Sequence, residues 1–86
     1  MPRVSYFYGI AIYLYYREHQ PPHFHALYGE HELVVAIESL AVLAGRLPAR
    51  ALGLVMEWAS LHQSELEQAW QQAMASEPIS KIEPLS

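Results

Sequence analysis

From Ile10 to Tyr16 the chain is almost unbroken in apolar and aromatic side chains: Ile10, Ala11, Ile12, Tyr13, Leu14, Tyr15 and Tyr16. β-Branched and aromatic residues at this density fit a pleated, largely covered strand. Side chains alternate across a strand, so Ile10, Ile12 and Leu14 share one face while Tyr13 and Tyr15 take the other. Tyr8-Gly9 separates this run from Val4–Phe7 and predicts a tight hairpin. Pro21 and Pro22 have no amide hydrogen to give a ladder and interrupt the pattern. After them, His23–Tyr28 and His31–Glu38 flank Gly29-Glu30, which predicts a second hairpin. In its last strand Leu33, Val35 and Ile37 alternate with Glu32, Val34 and Ala36, which marks one buried face.

The period changes after residue 47. Ser39–Leu47 reads as a connector, with room for a short strand at Ala41–Leu43 and a turn at Gly45. Pro48 suits the first helical position. Ala51, Leu54, Val55, Trp58, Leu61 and His62 then recur at helical spacing, followed by Leu66, Ala69, Trp70 and Ala73. Ser64 with Glu67 three residues later has the form of a capping box. Two helices meeting near Gln63 are expected, with one bent helix from Pro48 to Ala75 as the alternative. Pro78 closes the helical part, and Ile79, Ile82 and Leu85 give the tail a loose apolar spacing.

Strands first and helices second is the α+β order. The expectation is one domain over residues 1–86. A small antiparallel sheet of two hairpins, ββββ, over 4–38 precedes two helices on one sheet face over 48–76 and a short tail over 77–86.

Composition narrows what such a domain does. Of 86 residues 52% are hydrophobic and 16% charged, which fits a folded chain with apolar surface to spare for a partner or a second copy. Arg3, Arg17, Arg46, Arg50 and Lys81 are scattered in a chain of net charge −4, a poor footprint for phosphate backbones, so nucleic acid is expected only indirectly. With no cysteine, disulfides and thiolate metal sites are excluded. No apolar run is long enough to span a membrane and no leader pattern opens the chain, so a cytoplasmic protein is expected.

The candidate chemistry lies in four histidines between positions 19 and 31: His19, His23, His25 and His31. Two residues apart on a strand, His23 and His25 project to one side with Cβ atoms about 7 Å apart, within reach of a shared metal ion. The stiff Pro21-Pro22 approach places His19 beside them, and Glu18, Glu30 or Glu32 offers a carboxylate. Three nitrogens and an oxygen would suit zinc or a similar divalent ion. Without metal, the same His19, His23 and His25 could serve as base and acid on an RNA phosphodiester, with Tyr13, Tyr15, Tyr28 or Arg17 meeting the developing charge. The plain alternative is scaffold: imidazoles bonded to loop carbonyls, with no cofactor. Trp58 and Trp70 sit on the apolar helical stripe and read as core. Tyr13, Tyr15 and Tyr28 read as partner contacts, since tyrosine suits surfaces apolar at one end and wet at the other.

Tyr8-Gly9-Ile10, then His19-Gln20-Pro21-Pro22-His23-Phe24-His25-Ala26, Gly45-x-Leu47-Pro48, Glu57-Trp58-x-x-x-His62, Glu65-Leu66-x-x-x-Trp70 and Ile82-Glu83-Pro84-Leu85 together resemble the prokaryotic DUF4160 family, a domain of unknown function. The resemblance spans nearly the whole chain. It implies a small protein often encoded beside a DUF2442 protein, in the manner of a toxin–antitoxin or regulatory pair. The expected function is therefore protein–protein binding within such a pair. The alternative is a small ribonuclease-like or metal-dependent enzyme built on His19, His23 and His25.

Overall fold

The structure, a computed structural model, describes residues 2–86. Strands β1 (Arg3–Phe7), β2 (Ile10–Tyr13), β3 (His23–Tyr28), β4 (His31–Ala36) and β5 (Val42–Gly45) form one antiparallel sheet in chain order. Helices α1 (Ala49–Leu61) and α2 (Gln63–Met74) follow. The α+β class is as expected from the sequence, but the sheet has five strands rather than the four of two hairpins. The fifth strand, β5, overlaps the short strand allowed at Ala41–Leu43, and all four of its residues are exposed, so it carries no alternation. Its pairing with β4 slips between Val34 and Val35, and Gly45 ends it with φ of 77°.

The first turn falls at Tyr8-Gly9, both with positive φ, and the second at Gly29-Glu30. Ile10, Ile12, Leu14, Phe24, Val35 and Ile37 are fully buried, as are Val55, Trp58, Leu66 and Trp70 across the interface. Phe7 and Phe24 meet Trp58 with ring centroids 5.3 and 5.9 Å apart, so the two elements share one aromatic core. β2 stops at Tyr13 although the apolar run continues to Tyr16. The last pair of the ladder to β3 is Tyr13 with His25. The run stays apolar because Leu14 is still core and its N–H still bonds the Pro2 carbonyl.

The helical part is two helices. His62, at φ −127°, interrupts the spiral and caps α1 and α2 alike. Gln63 then pins the start of α2 to the sheet, its Nε2 donating to the carbonyls of Ile37 and Glu38 at 2.9 and 3.0 Å. The Ser64/Glu67 capping box does not form. Ser64 lies inside α2, and the His62 imidazole instead reaches the Glu65 carboxylate. Pro48 is the residue before α1 rather than its first turn. Leu61, expected on the apolar stripe, is 65% exposed because α1 ends there. The tail runs beside β1: the Ile82 N–H donates to the Val4 carbonyl at 2.8 Å, and Trp58 Nε1 donates to the Glu83 carbonyl at 2.8 Å.

Candidate metal centre

The alternation of β3 sends Phe24 and Ala26 into the core and turns His23 and His25 to the other side. The two imidazoles converge, with ring centroids 5.2 Å apart. His23 is packed against Trp70 at 5.2 Å, and the edge of Tyr15 meets His25 at 4.5 Å. Tyr13 stacks on Tyr15 in turn. Both histidines are thus walled by aromatic rings and mostly removed from water.

Each imidazole has one nitrogen already engaged. His23 Nδ1 lies 2.8 Å from the Pro21 carbonyl, and His25 Nδ1 lies 2.9 Å from Glu32 Oε2. A carbonyl and a carboxylate only accept, so each Nδ1 carries the proton and donates it. In the neutral ring each Nε2 is then a bare lone pair. In both rings the Nδ1 nitrogen serves the scaffold, and no hydrogen bond is made by His25 Nε2.

Both Nε2 atoms face Glu18. Its Oε2 lies 3.6 Å from His23 Nε2 and 3.6 Å from His25 Nε2. Glu18 comes from the loop between β2 and β3, which Arg17 ties to the end of α2 by donating from Nε to Ser76 Oγ at 3.2 Å. His25 Nε2 is buried and has no hydrogen-bond partner. With both rings neutral, three acceptors point at a common centre with no donor between them, which leaves the buried His25 Nε2 unsatisfied at about 1–3 kcal/mol.

The spacing decides what would fill the centre. At 3.6 Å the contacts are too long for hydrogen bonds. Zinc holds nitrogen and oxygen ligands at about 2.0–2.1 Å, and the edge of such a tetrahedron is about 3.3 Å. The three donor atoms all lie within 4.8 Å of one another, so small rotations close them on one ion. The Nδ1 bonds are the supports that metal-bound histidines carry, since a carboxylate or carbonyl on the far nitrogen fixes the ring and raises its basicity.

The sequence-expected residues divide accordingly. His23 and His25 lie in the group; His19 is exposed and stands outside it, and Glu18 supplies the third donor. Of the three carboxylates considered, Glu18 faces the centre, Glu32 supports His25 from behind, and Glu30 is exposed in the turn. Tyr13 and Tyr15 are half-buried beside the histidines, while Tyr28 is exposed at the far end of β3. Burial pushes the Tyr15 phenol above its ordinary pKa, and the charges of Glu32, Tyr13 and Glu18 push it the same way.

No curated protein and no solved structure matches this chain. A family profile, Domain of unknown function (DUF4160), matches residues 9–71, which includes β2, β3, β4, Glu18, His23, His25 and Glu32. The chain belongs to the DUF4160 family.

Proposed function

We propose that this protein binds one divalent transition-metal ion, zinc or an ion of similar preference, through His23 Nε2, His25 Nε2 and the Glu18 carboxylate. The observation that carries this reading is the convergence of three acceptors, one of them the buried and unpartnered His25 Nε2, at a spacing too long for hydrogen bonds and close to a coordination edge. Two neutral imidazoles and one carboxylate form a donor set suited to zinc and to non-haem iron. The ion would join the loop carrying Glu18 to β3 and so add to the stability of the bound fold. Titration of tag-free protein with zinc, followed by calorimetry, tests the reading. One site per chain is expected, lost in His25→Ala and in Glu18→Ala. Equal zinc uptake by wild type and a His23→Ala/His25→Ala double variant contradicts it.

A second reading rests on a different observation. β5 is an edge strand whose Val42 and Leu43 are 48% and 46% exposed. Exposed apolar edges invite pairing with another chain. That favours a protein partner, in line with the two-gene pairing that the family resemblance implies. Co-elution of this chain with the product of the adjacent gene in size-exclusion chromatography supports it. Persistence of both as separate monomers opposes it.

A further inference from the structure

Resting on the metal reading, we infer that the centre keeps one coordination position the chain does not fill, and that this position takes a small exogenous oxygen or nitrogen donor, water first and a small anion in competition with it. Zinc sites that serve only to hold a fold are closed by four protein ligands, whereas those that exchange ligands have three and leave the fourth place to water or substrate. Among the described residues, the group that shares this centre contains Glu18, His23 and His25 and no fourth histidine, aspartate or glutamate. Glu32, the nearest further carboxylate by bonding, is spent on His25 Nδ1, on the side of the ring away from the centre.

Access and charge point the same way. The Glu18 side chain is 22% exposed against 10% and 13% for His23 and His25, so the opening to solvent lies on the Glu18 side. The other flanks are closed by Trp70 against His23 and by Tyr15 against His25. A divalent ion held by two neutral imidazoles and one carboxylate retains one positive charge. That charge favours an anionic donor over a second neutral one. Arg17, the cation nearest in sequence to Glu18, directs its Nε to Ser76 Oγ. The ligand class this charge favours is a small anion: hydroxide, azide or a simple carboxylate.

The test is cobalt substitution of the tag-free full chain, read by visible absorption during titration with azide. One cobalt per chain with a spectrum that shifts on azide addition, saturates at one azide per metal and is absent from Glu18→Ala supports an open position. Bound cobalt whose spectrum ignores saturating azide overturns the inference, while the metal reading survives. The same azide silence with a doubled mass on cobalt loading also overturns it, since a second chain then fills the fourth place. If equilibrium dialysis finds no cobalt bound, the metal reading falls first and the open position with it.

Discussion

Glu32 stands diagonally across the β3–β4 ladder from His25, opposite Leu27, and its Oε2 accepts the His25 Nδ1 proton at 2.9 Å. That one bond decides which nitrogen of His25 is left bare. It connects the register of a hairpin to the chemistry of a site, because a one-residue slip would carry Glu32 to the other sheet face.

Removing this support without touching a ligand separates positioning from ligation. Glu32→Ala is expected to weaken zinc binding by about 10- to 100-fold. Glu32→Gln, whose amide oxygen still accepts from Nδ1, should retain most of the affinity. Nitrogen-15 chemical shifts of metal-free protein give a second readout: His25 is protonated at Nδ1 in wild type and loses that preference in Glu32→Ala. Unchanged shifts and affinity would show that the bond does not set the tautomer.

Gly45 guards the same strand from the other side. Its φ is 77°, and a Cβ placed there would lie 2.0 Å from the Glu32 backbone oxygen. Gly45→Ala is expected to cost about 3 kcal/mol in urea denaturation, from strain and displaced pairing together. Gly29→Ala, with φ of 59° but open space around it, should cost about 1 kcal/mol. The first variant should also weaken zinc binding through Glu32, and the second should not. Equal costs would refute the steric argument.

The tail is held through Trp58, which fills the core and donates to the Glu83 carbonyl. Trp58→Phe loses volume and that bond, with an expected cost of about 2 kcal/mol. Hydrogen exchange at the Ile82 amide, bonded to Val4, should accelerate beyond the global change. Unaltered relative protection of Ile82 would show that the tail is held elsewhere.

Tyr15 contributes to the loss of stability at alkaline pH. Its folded-state pKa is raised, first by burial and then by Glu32, Tyr13 and Glu18, above the ordinary value of 10.0. The unfolded chain therefore releases this proton first as pH rises, so stability is retained below pH 10.0 and lost between the unfolded and folded values. Tyr15→Phe should show a shallower fall in denaturation midpoint over that window. An identical slope in both proteins would mean that Tyr15 does not contribute.

Much of this arrangement was legible in the residues. The alternation in Ile10–Leu14 and Leu33–Ile37, and the spacing from Ala51 to Ala73, placed the core and both hairpins because burial enforces period. The short strand β5, exposed throughout, left no alternation, and the strand allowed at Ala41–Leu43 lies at Val42–Gly45. Ser64 and Glu67 had the letters of a cap, yet the break at His62 was set by Gln63 reaching the sheet, a contact no local pattern encodes. At the site, the two-residue spacing fixed the convergence of His23 and His25. Glu18 and His19 are neighbours before a diproline, and which of them turns inward depends on the path of the loop, which Arg17 and Ser76 tie down from opposite ends of the chain.

The central claim is that two Nε2 atoms and one carboxylate oxygen share an ion. Anomalous diffraction at the zinc edge, from crystals of tag-free protein grown with zinc, measures this directly. The account predicts one strong peak about 2.0–2.2 Å from His23 Nε2, His25 Nε2 and a Glu18 oxygen. An empty centre, with zinc only on exposed residues such as His19 or His31, would contradict it.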